Sequence, residues 1–262
     1  MAGYVFKGKN VFMKHDITER PTKEYYYAHT HSKYELLYLV RGDTSHIVED
    51  RRYKLRPGDL ILVRPFRYHY INIDTPISYE RYDILFDPAE LGIDNVDLFP
   101  DDTDIVHIPE GSVANEIIRR TDYYVERLSG EAVDDVAPSL LKELFYAIST
   151  LDGGHGEFSV ISPMLTNALT YINENLFTIK DIADVSEKLF VSESYLYRLF
   201  KNELKRSPKS YINEKRLLTA REMILAGEKP TEIYSRCGFA DYTVFYRNYK
   251  TLFGISPSKD TK

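Results

Sequence analysis

The chain has 262 residues, with 34 Lys and Arg against 40 Asp and Glu, a formal charge of −6 and a single cysteine, Cys237. This length holds one or two domains. A 43% hydrophobic share with 28% charged residues excludes a disordered chain, and one cysteine excludes an intrachain disulfide framework. The longest apolar runs, such as Leu36–Val40, fall far short of the ~20 residues a bilayer span needs. The opening MAGYVFKGKNVFMKHD carries no apolar stretch before a cleavage site. The expectation is a soluble cytoplasmic protein.

The first ~90 residues read as β structure. Tyr34–Val40, Asp59–Val63, Tyr68–Ile73 and Tyr79–Phe86 are dense in aromatic and aliphatic residues. Turn signals separate them at Arg41-Gly42-Asp43, Glu49-Asp50-Arg51, Arg56-Pro57-Gly58-Asp59 and Asp74-Thr75-Pro76. Short strands with close-set turns imply a sandwich or barrel. Residues 87–111, rich in Asp, Pro and Gly, read as loop. Two helices follow. Ala114, Ile117, Ile118, Thr121, Val125 and Leu128 recur at helical spacing, and Val133–Leu151 carries a wide apolar stripe. A stripe that wide has room for the domain's own sheet and for a second subunit, so a homodimer is expected.

Asp152-Gly153-Gly154-His155-Gly156 is the expected flexible joint between domains. Beyond it the pattern is helical. Leu165, Ala168, Leu169, Ile172 and Leu176 make one face. Asp181 is placed to cap a helix through Leu189, Ser192 one over Glu193–Leu204, and Ser207-Pro208 opens a helix running to Ala226. Thr231–Cys237 then reads as a short helix, and Asp241 caps Tyr242–Phe253.

The order short helix, turn, capped helix thus occurs twice. Laying Val191–Lys201 over Ala240–Lys250 aligns the caps Ser192 and Asp241, and then Leu196 with Phe245, Tyr197 with Tyr246, Arg198 with Arg247, Phe200 with Tyr249 and Lys201 with Lys250. This is the helix-turn-helix pattern, whose second helix enters the DNA major groove. The ~19-residue helix between the copies spans close to 30 Å, near one turn of duplex. Ser194, Tyr197, Arg198, Tyr242, Thr243, Tyr246 and Arg247 fall opposite the expected core positions, where arginine suits guanine and Thr or Tyr a thymine methyl or phosphate. Lys201 and Lys250 suit phosphate. Charge agrees: residues 161–262 carry 16 Lys and Arg against 12 Asp and Glu, +4, leaving −10 on residues 1–160. Lys201, Lys205, Arg206, Lys209, Lys215 and Arg216 form the densest basic cluster.

The stretches Leu189–Lys201, Cys237-Gly238-Phe239-Ala240-Asp241-Tyr242 and Phe253-Gly254-Ile255-Ser256-Pro257 resemble the AraC/XylS family of bacterial transcription regulators across residues 163–258. The resemblance implies a DNA reader with two helix-turn-helix units, commonly an activator that contacts RNA polymerase, and it puts the seven residues just named on the base-facing side. Two departures stand out. Tyr234 occupies a position usually small in the family, which would tilt or weaken the second unit. Pro257 is followed by Ser258-Lys259-Asp260 where the family has Pro-x-x-Tyr-Arg, a change expected to affect only the end of the chain.

In the N-terminal half, His29, His31 and Glu35 share one face if they lie on a strand, and His69 on a later strand completes the set. Three imidazoles and a carboxylate suit Zn, Ni, Fe or Mn. The spacing resembles the first cupin motif, and Pro57-Gly58-Asp59 through Pro65 and His69 resemble the second. A metal centre is one reading; a metal-free barrel holding a small molecule is the other. Tyr25, Tyr26, Tyr27, Tyr34, Tyr38, Tyr53, Tyr68, Tyr70, Tyr79 and Tyr82 crowd this region, which suits a sugar or an aromatic acid. Arg67 is placed to meet an anion. The effector-pocket candidates are His29, His31, Glu35, Tyr38, His69 and Tyr82.

The expected fold is α+β in two domains. It comprises a cupin-like effector barrel over 1–111, a helical support and dimerisation region over 112–151, a linker over 152–160 and an all-α double helix-turn-helix domain over 161–262. The expected function is effector-controlled transcription regulation, with no catalytic residues and no required cofactor. Gly-x-Gly-x-x-Gly, Walker and Gly-x-Ser-x-Gly patterns do not occur. Two alternatives stay open: a constitutive dimeric DNA binder with a ligand-free barrel, and a metal-dependent cupin enzyme.

Overall fold

The computed structural model describes residues 3–22, 29–93, 99, 104–151 and 158–260. It divides into two units, Met1–Ser159 and Val160–Lys262. The boundary falls inside the expected linker, but the glycine run 152–156 lies outside the described residues, as do Tyr25, Tyr26 and Tyr27.

In the first unit the chain runs through β1 (Tyr4–Lys7), β2 (Val11–Thr18), β3 (Tyr34–Val48), β4 (Arg51–Leu55), β5 (Asp59–Val63), β6 (His69–Phe86), α1 (Pro88–Leu91), β7 (Ile105–His107), α2 (Val113–Arg127) and α3 (Gly130–Ser149). The sheet order is β1-β2-β6-β3-β4, with β5 joining β3 to β7. β3 and β6 pair antiparallel from Tyr34↔Phe86 to Val48↔His69. Two of the expected turns are therefore not turns. Arg41-Gly42-Asp43 and Asp74-Thr75-Pro76 lie opposite each other in this ladder, at register shifts between Leu39 and Thr44. Gly42 sits at φ +139°, and a Cβ there would come within 2.6 Å of the Tyr79 ring. The bulge bends both strands together instead of ending them.

The expected loop 87–111 contains two elements. Asp87 caps α1 with Pro88 at its first position, and β7 pairs with β5. The last three linker residues also form a strand, β8 (Phe158–Val160). Phe158 packs on Tyr53, with ring centroids 5.6 Å apart, and beneath the Arg51 guanidinium at 4.5 Å.

Alternation along the strands divides the apolar residues between two cores. Leu37, Leu39, Tyr53, Ile61, Val63, Ile71, Ile73 and Tyr79 fill the barrel interior. Val11, Met13, Leu36, Tyr38, Tyr82, Ile84 and Phe86 face the helices instead. The α3 stripe meets this second face. Val133, Ala137, Leu140, Leu141, Leu144, Phe145 and Ile148 are all at most 4% exposed within their own domain. The width of the stripe thus reflects intradomain packing and leaves none of these residues for a second subunit.

The second unit holds α4 (Pro163–Glu174), α5 (Ile182–Lys188), α6 (Glu193–Glu203), α7 (Pro208–Leu225), α8 (Pro230–Ile233) and α9 (Tyr242–Phe253). Asp181, Ser192, Ser207 and Asp241 cap their helices through side-chain oxygens. α8 is shorter than expected, ending in a turn closed by Phe239 N–H to the Tyr234 carbonyl. The same bond in the first helix-turn-helix runs from Val191 N–H to the Ser186 carbonyl. Phe190 and Gly238 are therefore structurally equivalent, both with positive φ. Measured to the caps, the second turn is one residue longer, which a gap-free overlay conceals. The repeat also continues past the second helices: Lys205 and Gly254 both have positive φ, and each precedes a Ser-Pro pair.

Candidate functional site

α6 and α9 each bury one face. Leu196, Leu199 and Phe200, and in the second copy Phe245 and Tyr249, pack inward. Ser194, Tyr197, Arg198 and Lys201 are exposed along α6, and Thr243, Tyr246, Arg247 and Lys250 along α9. Helical spacing puts Ser194, Arg198 and Lys201 on one outward stripe and Thr243, Arg247 and Lys250 on its counterpart. Tyr242 differs. It is half-buried, edge-on to Tyr234 at 5.5 Å and against Phe245 at 5.8 Å. Tyr234 therefore fills the core of the second unit with an aromatic pair. Tyr195 and Val244, 36% and 40% exposed, flank the two stripes at matching positions. Sequence reasoning missed them, although the overlay already paired them.

Two members of the basic cluster are structural. Lys215 is buried and donates to Asn173 Oδ1 at 3.0 Å. Arg216, 5% exposed, donates Nε to the Leu176 carbonyl at 2.7 Å, one Nη to Ile179 at 2.5 Å and the other to Gly238 at 2.9 Å. It ties the entry to the first helix-turn-helix to the turn of the second. Burial lowers its pKa. The end of the chain is also more than a loose tail: buried Asp260 accepts from Tyr249 Oη and Arg221 Nε, both at 2.8 Å. Cys237 is a packing residue whose thiol burial pushes up to about 11.

In the barrel, His29, His31, Glu35 and His69 offer ligand atoms within 4.8 Å of one another. His29 and His31 precede β3 and do not share a strand with Glu35. A two-bond bridge brings His29 to His69, with N–H to O distances of 3.0 and 2.9 Å, and Phe66 N–H fixes the His31 carbonyl at 2.8 Å. His31 Nδ1 lies 2.8 Å from the Lys33 carbonyl and His69 Nδ1 2.8 Å from the Arg67 carbonyl. A carbonyl only accepts, so both Nδ1 atoms carry hydrogen and both Nε2 atoms point at Glu35 Oε2, at 2.9 and 3.0 Å. An Nε2 lone pair cannot face a carboxylate. The arrangement needs imidazolium protons or a cation between the groups. Burial would raise the Glu35 pKa, but His69 and His31 outweigh it and hold the carboxyl well below its ordinary range.

A cavity of about 330 Å³ adjoins this cluster, with Phe12, His46, Ile71, Arg81, Asp83 and Leu85 among its lining residues. His46, Arg81 and Asp83 were not expected there. Buried His46 stacks on His69 with centroids 5.8 Å apart, and burial drives its pKa down to about 3. Tyr38 and Tyr82 do not reach the cavity. They lie on the helix face, where Tyr38 Oη accepts from Asn115 at 2.7 Å and Tyr82 Oη donates to Asp122 at 2.7 Å. Counting by twos from Glu35 already excludes Tyr38 from its face. Arg67 lines a separate hollow with Arg51, Arg64 and Asp104.

A second polar node joins the sheet to α2. His15, 5% exposed, has Nε2 3.0 Å from Glu80 and Nδ1 3.1 Å from Asp122, and its ring stacks on Tyr82 at 4.1 Å. Burial alone would lower its pKa, but the two carboxylates outweigh it and hold the value above ordinary histidine.

Among the described residues no helix is long and apolar enough to cross a membrane. A family model described as an AraC-like ligand binding domain matches residues 17–92, and a helix-turn-helix domain model matches 185–262. The chain is 31% identical to the probable transcriptional regulator LumQ of Photobacterium leiognathi over 90 residues, 34% of this chain and 36% of LumQ; it thus spans about a third of that relative. It is 25% identical to the transcriptional activator RhaS of Shigella dysenteriae serotype 1, covering 87% of this chain and 85% of RhaS. To the uncharacterized regulator YfiF of Bacillus subtilis it is 24% identical, covering 87% and 76%. With a ligand-domain match on the sheet-rich unit and a helix-turn-helix match on the helical one, the chain belongs to the AraC/XylS family of transcription regulators.

Proposed function

We propose that this protein binds promoter DNA in a sequence-specific way and regulates transcription, as an activator that touches RNA polymerase, under control of a small molecule held in the barrel. It acts in the cytoplasm as a homodimer and is not an enzyme. The carrying observation is the matched outward stripe on α6 and α9, each with an arginine and a lysine at the same helical positions above a buried core. Arginine reads guanine edges and lysine meets phosphate. The effector shifts the population toward the DNA-binding form by binding it more tightly. Exposed Tyr123 and Tyr146 on the helical pair offer a dimer surface outside the buried stripe.

The donor geometry favours a second element, a divalent ion held by His29, His31, Glu35 and His69. The Nδ1 bonds to backbone carbonyls orient His31 and His69 as metal-binding histidines are oriented. The four donor atoms lie within 4.8 Å of one another and would have to close to the roughly 2.0–2.2 Å of a bound ion. Such an ion would supply a fixed positive charge and open positions for an effector oxygen.

The test is thermal denaturation of the full chain against sugars, organic acids and aromatic metabolites, with and without chelator. A native-state ligand raises the melting temperature. A stabilising compound whose effect disappears with chelator supports both elements. No stabilisation by any compound, with chelator also without effect, contradicts effector control and favours a constitutive DNA binder.

A further inference from the structure

We infer that Val244 is a specificity-determining residue of the second reading helix and that it recognises the C5 methyl group of a thymine; this rests on the reading above, in which α9 meets base edges. Helical spacing fixes where Val244 points. At roughly 100° per residue about the helix axis, Arg247 lies directly opposite the midpoint of buried Phe245 and Tyr249. Thr243 and Val244 lie to either side of Arg247, about 40° and 60° away. Val244 is thus on the outward face, 40% exposed, while the Tyr242–Tyr246 ring pair, 6.3 Å apart, lies round the other flank. Its backbone is anchored in the first turn, where Val244 N–H donates to the capping carboxylate of Asp241 at 2.9 Å. The branched side chain has one strongly preferred χ1 rotamer in a helix. That first turn is the end of a reading helix that reaches base edges.

Helix stability does not call for valine here. On an exposed helical surface a β-branched residue gives up side-chain freedom relative to alanine and leaves apolar surface in water. Chemistry then selects the target. The valine side chain has no donor or acceptor, so it cannot pair with the ring nitrogens, carbonyl oxygens or amino groups of the base edges. A polar edge set against it would lose water without gaining a partner. The thymine methyl is the apolar group that the major groove presents. Val244 therefore favours thymine by contact and disfavours a G·C pair by exclusion. Arg247 lies about 4.5 Å further along the axis, so the thymine falls within about two base pairs of the one Arg247 reads. The matching residue of the first copy, Tyr195, carries a hydroxyl and is not restricted to apolar contact.

The experiment uses the full chain and a duplex that it selects from a randomised library. Each thymine of that duplex is replaced singly by deoxyuridine, which removes the methyl and keeps every hydrogen-bonding group. Affinities are read by fluorescence anisotropy at fixed salt. The expected result is a thymine, within about two base pairs of the position where Arg247→Ala relaxes discrimination, whose replacement weakens wild-type binding about threefold or more, in line with burial of one methyl group. In Val244→Ala the same replacement has no effect. In Val244→Thr, which keeps one branch methyl, part of the effect remains. A penalty absent at every thymine near that position, or one that persists undiminished in Val244→Ala, overturns the inference; relaxed discrimination in Arg247→Ala then leaves the reading of α9 standing. If Arg247→Ala keeps discrimination intact at every base pair, or no common sequence is selected, that reading fails and the inference with it.

Discussion

Phe190 and Gly238 occupy the same left-handed position, at φ +55° and +80°, in the turns that precede the two reading helices. The second helix-turn-helix holds glycine there, whereas the first holds a phenylalanine that is 95% exposed. An L side chain in this conformation costs about 1–2 kcal/mol, and glycine gives back part of that gain through unfolded-state entropy. Phe190→Gly is therefore expected to stabilise the protein by about 0.5–1 kcal/mol. Chemical denaturation measures this directly; an unchanged or lower midpoint would show that Phe190 contributes packing.

Arg216 is the opposite case, a buried cation whose three hydrogen bonds all end on backbone carbonyls. Arg216→Ala orphans the carbonyls of Leu176, Ile179 and Gly238. At about 1–3 kcal/mol for a buried polar group left unsatisfied, a loss of at least 3 kcal/mol is expected. Gly238→Ala should also destabilise, since its Cβ would sit 2.8 Å from the Arg216 guanidinium at positive φ. Denaturant midpoints test both, and a loss below about 1 kcal/mol for Arg216→Ala would contradict its role as a tie.

His15 gives a pH dependence with a defined sign. Its folded pKa is raised above the ordinary 6.5, so its stabilisation is complete below that value and is lost as pH rises through the folded pKa. The melting-temperature gap between wild type and His15→Gln should therefore be widest near pH 6 and narrow toward pH 9. A gap that widens with pH would mean that His15 is held neutral.

Asp260 is expected to make the chain terminus matter. Asp260→Asn weakens the bonds from Tyr249 and Arg221 and should cost about 1–2 kcal/mol, in the range for hydrogen bonds to a charged group. Equal midpoints for wild type and variant would contradict a stabilising role for Asp260.

The legible parts of this molecule are those where a local signal suffices. Ser192, Asp241 and Ser207-Pro208 mark helix starts by capping chemistry, and the repeat marks the reading faces. The illegible parts depend on partners distant in sequence. Gly42 reads as a turn because its signal is local, whereas the ladder with β6 that carries the strand through it is not. The register shifts there reverse the alternation between Glu35 and His46, so the burial of His46 beside His69 cannot be counted from the sequence. Arg216 looks like its basic neighbours because the carbonyls that engage it lie in other elements. Composition favours Tyr38 and Tyr82 for the pocket, but alternation along β3 from Glu35 puts Tyr38 on the other face.

The central claim is that α6 and α9 both read base pairs. The most direct measurement selects duplexes from a randomised library with the full chain, then compares Arg198→Ala and Arg247→Ala on the selected sequence and its single-base variants. Each substitution is expected to cost about 1–3 kcal/mol and to relax discrimination at its own base pair, the two positions lying about one helical turn apart. Selection of no common sequence, or variants that weaken binding uniformly with discrimination intact at every position, would contradict the account.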